Sequence, residues 1–131
     1  MKIEHFAINV EDPRAMADWY CVNLSMSVSR KLDKAPFTHF LADSSGSVMI
    51  EIYNNPVDQV PDYRNMDPLL LHLAFVSRDP QLDSKPLINA GATFQDEVCL
   101  KDGSHLMMLR DPWGLAIQLC KRAEPMLAAQ G

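Results

Sequence analysis

Cysteine, clustered positive charge and long apolar runs are all scarce in this chain of 131 residues. The three cysteines, at 21, 99 and 120, are an odd number without a CxxC pair, which favours reduced thiols packed as small hydrophobic side chains. A net charge of −5 with scattered basic residues argues against a nucleic-acid surface. No run approaches the roughly 18 apolar residues of a membrane span, and MKIEHFAINV does not resemble a signal peptide. We therefore expect a cytoplasmic protein without nucleic-acid or membrane partners.

The sequence does contain an internal repeat with an offset of 67 residues. Four identities fall within positions 3–13, where chance gives on the order of one or fewer. They are His5 with His72, Ala7 with Ala74, Asp12 with Asp79, and Pro13 with Pro80. Without a gap, the same offset aligns residues 48–52 with 115–119, so that Glu51 corresponds to Gln118. We infer two copies of one supersecondary unit.

Each copy is predicted to fold as a β-α-β-β-β unit, which gives an α+β protein. An apolar strand over 2–10 or 69–77 comes first, and an Asp-Pro pair then supplies the N-cap and the first turn of a helix. Gly91 is expected to end the second helix, and Pro86 is expected to keep it short. The other strands are predicted over 26–32, 37–43, 47–53, 93–99, 104–110 and 114–121.

The expected organisation is a single domain over residues 1–131, built from two modules. The first module covers about 1–54, and an extended linker with three prolines follows over 55–68. The second module covers about 69–122, and residues 123–131 form a tail.

Four polar residues interrupt apolar strand sequences at equivalent places in the two copies. They are His5, Glu51, His72 and Gln118. Because side chains alternate along a strand, a pseudo-twofold packing of the copies would bring all four to one cavity. Two imidazoles, a carboxylate and an amide oxygen suit a divalent first-row metal with open positions for water or substrate. The alternative is that the histidines are satisfied core residues and that the glutamate pairs with an arginine.

Small residues accompany these four on the same strand faces. They are Ala7, Ala74 and Ala116. Such small side chains leave room for a bound molecule, with Met49 and Tyr53 as larger lining. The alternative is that the alanines accommodate a helix crossing the other face.

Four segments carry a resemblance to a known family: HFAINVEDP, DWYCVNLSM, LLHLAFVS and RDPWGLAIQL. On these segments the chain resembles the vicinal oxygen chelate superfamily, which includes glyoxalase I, methylmalonyl-CoA epimerase, extradiol dioxygenases, and fosfomycin and bleomycin resistance proteins. The resemblance covers nearly all of residues 2–121. It implies two tandem βαβββ modules that form an open, cup-shaped mixed β-sheet around one divalent metal ion (Zn, Ni, Co, Mn or Fe).

The resemblance also implies that the metal ligands are His5, Glu51, His72 and Gln118. The chain departs from the family at Gln118, where glyoxalase I and the epimerase usually carry glutamate. Because an amide does not titrate, only Glu51 is left to act as the proton-transfer base. A smaller departure is Ser25, which replaces the glycine of the family's Leu-Gly pair.

The sequence says less about the substrate. Asn9 stands where glyoxalase I commonly has an arginine that holds glutathione, whereas Asn55 matches a family asparagine. These two positions give only half of a glutathione pattern, and asparagine at a strand end is also ordinary turn chemistry. Arg110 and Lys101 could attract an anionic substrate, with a solvated surface as the alternative.

Three functions are compatible with this pattern. The first is a glyoxalase-like, metal-dependent lyase or isomerase for a small oxygenated substrate, in which the metal polarises a carbonyl or enediolate and Glu51 moves the adjacent proton. The alternative is a metal-free protein of the bleomycin-resistance type that binds a drug or antibiotic. An iron(II) extradiol-type dioxygenase is the third, since two histidines and one carboxylate suit oxygen activation. We expect a homodimer, with the site within one chain or shared across the interface.

Overall fold

The computed structural model describes residues 1–127, which fold as two compact units, the first over Met1–Pro61 and the second beginning at Asp62. The first unit contains β1 (His5–Asn9), α1 (Pro13–Leu24), β2 (Ser27–Lys31), β3 (His39–Ala42) and β4 (Met49–Tyr53). The second contains a 3-10 turn (Tyr63–Asn65), β5 (Leu73–Val76), α2 (Pro80–Asn89), β6 (Thr93–Cys99), β7 (His105–Arg110) and β8 (Ala116–Lys121). The predicted βαβββ order is therefore confirmed in both units.

Each unit has an open four-stranded sheet with the same topology. The strand orders are β1-β4-β3-β2 and β5-β8-β7-β6. The first strand of each unit pairs in parallel with the last, and the other pairings are antiparallel, so both sheets are mixed. Ala7 lies opposite Glu51 in the first sheet, and Ala74 lies opposite Gln118 in the second. The repeat in the sequence thus becomes a repeat in strand register.

Both helices begin as the sequence predicts. The side chains of Asp12 and Asp79 accept hydrogen bonds from backbone N–H groups three residues ahead, and a proline follows each cap. Helix α1 ends at Ser25 in the left-handed conformation (φ 55°), so serine adopts here a backbone geometry that glycine adopts without strain. Helix α2 ends before Gly91 (φ +112°), as expected, but it continues for three residues beyond Pro86. Proline removes one hydrogen bond without ending this helix, because its fixed φ is itself helical.

The core of each unit lies between its helix and one face of its sheet. In the first unit, Tyr20 of α1 and Ile52 of β4 are fully buried. Full burial of an aliphatic or aromatic side chain contributes about 1.5–3 kcal/mol. Along β4, buried Ile50 and Ile52 alternate with half-buried Met49 and Glu51, so Glu51 belongs to the face away from the helix.

The predicted linker is only partly extended. Its second half contains the 3-10 turn and belongs to the second unit, where Tyr63 is buried. The Arg110 guanidinium donates to the carbonyl oxygens of Tyr63 and Met66 at 2.8 and 2.9 Å, which fixes this segment to β7. Of the predicted tail, residues 128–131 lie outside the described residues. None of the helices within residues 1–127 has the length and apolar character needed to cross a membrane.

Candidate functional site

His5 and Glu51 lie in direct contact in the first unit. The parallel pairing of β1 with β4 brings them to the same sheet face, and His5 Nε2 is 3.0 Å from Glu51 Oε2. The other ring nitrogen, Nδ1, is 3.0 Å from Glu4 Oε1. The His5 ring meets Phe40 edge-on, with the ring centroids 5.4 Å apart. The imidazole is therefore held by three neighbours, although 33% of its side-chain surface remains exposed.

A hollow of about 260 Å³ opens on the same part of the first unit. Its lining includes Glu4, Ser29, Arg30, Phe40 and Met49. Met49 and Phe40 share the sheet face of Glu51, because Met49 precedes it by two residues and Phe40 lies opposite it on β3. Arg30 was not predicted from the sequence. A register shift between Val28 and Arg30 interrupts the alternation of β2, and no sequence pattern indicates that irregularity.

The equivalent residues of the second unit have different partners. His72 lies one residue before β5 rather than within it, so the prediction of a strand over 69–77 was wrong at this position. Its Nδ1 is 2.8 Å from the carbonyl oxygen of Pro68. Gln118 Oε1 accepts a hydrogen bond from the Cys120 thiol at 3.1 Å. Burial raises the pKa of that thiol, which keeps its proton available for this bond.

Hydrogen-bond geometry leaves one ring nitrogen of His72 free to act as a ligand. A carbonyl oxygen only accepts, so Nδ1 must carry the proton, and the lone pair is then on Nε2. The carboxylate of Glu4 acts on Nδ1 of His5 in the same way. Oxygen partners of this kind are the usual orienting groups of metal-bound imidazoles. The 3.0 Å between His5 Nε2 and Glu51 Oε2 also equals the edge of an octahedral site with bonds of about 2.1 Å, so these donors fit a divalent ion.

The predicted lining residues are distributed unevenly. In the first unit, Ala7 and Tyr53 are half-buried, and Met49 lines the hollow. In the second unit, Ala74 is exposed and Ala116 is 2% exposed. These residues stay a prediction as a substrate pocket.

Asn9 and Asn55 connect the end of β1 to the following loop. Asn9 Nδ2 donates to the Asn55 carbonyl oxygen at 3.2 Å, and Asn9 Oδ1 accepts from the Asn55 N–H at 2.8 Å. The Asn55 side chain accepts from Val57 N–H at 3.0 Å. Arg110 is likewise engaged with carbonyl oxygens of its own unit. These polar groups therefore have structural partners.

Comparison with known proteins identifies the family. The family model described as the Glyoxalase/Bleomycin resistance protein/Dioxygenase superfamily matches residues 2–119. None of the curated protein sequences matches the chain.

Solved structures show the same fold. A glyoxalase family protein from Bacillus cereus has a TM-score of 0.75 at 15% identity, with 92% of this chain and 93% of that chain covered. TnmS3, an antibiotic binding protein from Streptomyces sp. CB03234, has a TM-score of 0.69 at 16% identity, with 91% and 93% covered. A glyoxalase I variant from Zea mays has a TM-score of 0.72 at 20% identity, with 94% of this chain but 46% of that chain covered. With the family model matching nearly its whole length, the chain belongs to the glyoxalase/bleomycin resistance protein/dioxygenase superfamily.

Proposed function

We propose that the protein is a metal-dependent lyase or isomerase that acts on a small oxygenated substrate. The observation that carries this proposal is the contact between His5 Nε2 and Glu51 Oε2 at 3.0 Å, with Glu4 orienting the imidazole. Their counterparts, His72 and Gln118, complete the proposed ligand set. Such a set combines two neutral nitrogen donors, one anionic oxygen and one neutral oxygen.

A bound divalent ion would supply Lewis acidity that polarises a substrate carbonyl. The Glu51 carboxylate would accept a proton from the carbon next to a substrate carbonyl and return it to the same carbon or to a neighbouring one. Gln118 cannot share this task, because its amide neither gains nor loses a proton near neutral pH. Among the four proposed ligands, proton transfer therefore depends on Glu51.

The hollow beside this pair indicates the size and charge of the substrate. About 260 Å³ admits a small molecule, and Phe40 and Met49 supply apolar lining. Arg30 and Glu4 are charged residues of the lining, and the guanidinium of Arg30 suits a carboxylate or another anionic oxygen group on the substrate.

The first test is the metal content of protein purified without a metal-affinity tag. We expect the His5→Ala variant to contain about one divalent ion per chain less than the parent. If iron were the ion, an oxygenase assay would replace the isomerase assay. Equal metal content in the parent and in His5→Ala after reconstitution with zinc, nickel, cobalt, manganese and iron would overturn the metalloenzyme proposal.

A charge-neutral exchange separates metal binding from proton transfer. The double variant Glu51→Gln, Gln118→Glu keeps the same four donor types, so we expect its metal affinity to remain within about tenfold of the parent. Solvent deuterium incorporation should fall to background, because an amide replaces the carboxylate beside His5 Nε2. The assay uses the hemithioacetal of methylglyoxal and glutathione, and methylmalonyl-CoA, as probes. Unchanged incorporation in this variant would rule out Glu51 as the base.

A second candidate is metal-free binding of an antibiotic or a similar small molecule. It is favoured by the structural likeness to TnmS3 and by the aromatic and thioether lining of the hollow. If this function applies, an antibiotic should bind the parent and His5→Ala with the same affinity in the presence of a metal chelator. Phe40→Ala should weaken its binding. Binding that requires a metal would exclude this candidate.

We also propose a homodimer. Two sheet-edge strands, β1 and β5, expose large apolar side chains, with Phe6 56% and Val76 94% exposed. Such residues are candidates for contact with a second copy. Sedimentation equilibrium tests this expectation, and Val76→Lys should shift the protein toward the monomer.

A further inference from the structure

A second group of metal-ligating side chains lies on the β6–β7 hairpin. Cys99 pairs directly opposite His105, and Glu97 is two residues before Cys99 on the same strand face. One ligand atom from each of the three residues lies within 4.8 Å of the other two, and His105 Nε2 is 2.7 Å from Glu97 Oε1. The hairpin thus gathers a thiol, an imidazole and a carboxylate at one place.

This cluster lies on the opposite face of the second sheet from Gln118. Glu97 pairs with Met107, which pairs with Leu119, whereas Gln118 pairs with Met108. The cluster therefore faces the side of α2, and Gln81 of that helix donates to Glu97 Oε1 at 3.1 Å. A site here is distinct from the site proposed above, and it lies entirely within one unit.

The side chains are accessible, which a binding site requires. The side chains of Glu97 and His105 are 29% and 17% exposed, and Cys99 is exposed. The expectation that all three cysteines pack as small hydrophobic residues was therefore wrong for Cys99. An exposed thiol beside an imidazole and a carboxylate has no packing role, but it does have ligand chemistry.

We propose that Glu97, Cys99 and His105 bind a Zn²⁺ ion with its fourth position open to water or to another ligand. Thiolate, imidazole and carboxylate are the three protein ligand types of zinc, and three protein ligands with one open position is the pattern of reactive zinc sites. Gln81 holds the Glu97 carboxylate and serves as an orienting partner. Binding of zinc through His105 Nε2 requires its lone pair, so the ring proton that faces Glu97 is carried on Nδ1 in the bound state. The thiol proton is released to solvent, so that the sulfur binds as thiolate.

Cobalt titration of the reduced, metal-free protein tests the site directly. Thiolate bound to Co²⁺ gives a charge-transfer absorption in the near ultraviolet. In the His5→Ala background, which removes a ligand of the site proposed for catalysis, we expect this band to saturate at one Co²⁺ per chain and to be bleached by Zn²⁺. A Cys99→Ser variant should lack the band, and circular dichroism in chelator should show an unchanged fold because residue 99 is exposed.

Two matched variants separate this site from the other. Cys120→Ala removes the thiol beside Gln118, whereas His5→Ala removes a ligand of the site proposed for catalysis. The charge-transfer band should persist in both variants. Zinc affinity, measured by competition with a chromophoric chelator in the His5→Ala background, should fall at least about tenfold in His105→Ala. The proposal is overturned by absence of the band, by its survival in Cys99→Ser, or by its loss in Cys120→Ala.

Discussion

Gly114 offers a sharp test of the structure, because an added methyl group there has no space. The residue ends the Asp111–Gly114 turn with φ +92°. A Cβ placed on it would lie 2.7 Å from both Cα and Cβ of Arg64 and 2.8 Å from its backbone nitrogen. Arg64 cannot easily withdraw, since its side chain donates to the Pro112 carbonyl and its neighbour Tyr63 is buried.

Two costs combine in Gly114→Ala. A non-glycine residue in left-handed backbone costs about 1–2 kcal/mol, and overpacking against a fixed neighbour costs about 1–3 kcal/mol. We expect a loss of about 2–5 kcal/mol in the free energy of unfolding, a large part of the roughly 5–15 kcal/mol of an ordinary domain.

Gly103→Ala is the matched control for urea denaturation. Its φ of +94° is nearly the same, but no atom lies within 4 Å of its added Cβ. This variant should lose only the backbone cost of about 1–2 kcal/mol. The close approach of Arg64 to the turn would be refuted if both variants lost the same free energy of unfolding, with the same slope of that free energy against urea concentration.

Two further predictions concern the helix caps and the buried thiols. Asp12→Ala and Asp79→Ala should each lower the free energy of unfolding by about 1 kcal/mol, because each removes an acceptor for a helical N–H. The control is Asp18→Ala, at an exposed position that caps no helix, and it should change the free energy of unfolding little in the same urea assay. Equal effects of all three substitutions would contradict the capping roles. Burial raises the pKa of the Cys120 thiol and, together with the Asp18 carboxylate, that of Cys21. The folded chain then keeps thiol protons that the unfolded chain loses, so the free energy of unfolding should fall as pH rises from about 8 to 10. This fall should be less steep in Cys120→Ala. An identical pH dependence in that variant would contradict the raised pKa of the Cys120 thiol.

The repeat made most of the fold predictable, but it did not fix the strand ends. The first strands were predicted over 2–10 and 69–77, whereas they cover His5–Asn9 and Leu73–Val76. In the first unit β1 pairs along the five residues of β4, whereas in the second unit β5 pairs with only four of the six residues of β8. Apolar residues outside the paired segments, such as Leu69, are exposed. An apolar run in the sequence carries no information about the length of its partner.

The candidate sites were predictable only where the repeat revealed them. His5 and Glu51 were expected to share a face, and they are in contact. Arg30 follows a strand irregularity, so its place in the hollow could not be derived from alternation. The Glu97, Cys99 and His105 cluster depends on the length of the turn at 100–104, since one residue more or less would place His105 on the opposite face.

The repeat also explains why catalysis is proposed for one unit rather than both. At the position equivalent to Glu4 the second unit has Leu71, and its histidine is oriented instead by the neutral carbonyl of Pro68. At the position equivalent to Glu51 it has Gln118, whose oxygen is occupied by a protonated thiol. At these equivalent positions the second unit therefore offers only neutral donors, whereas the first offers a carboxylate as well as an imidazole oriented by charge. The proposed ligand set has one nitrogen donor and one oxygen donor from each unit, but its negative charge lies in the first unit. The capacity of the ligand set to move a proton therefore lies there as well.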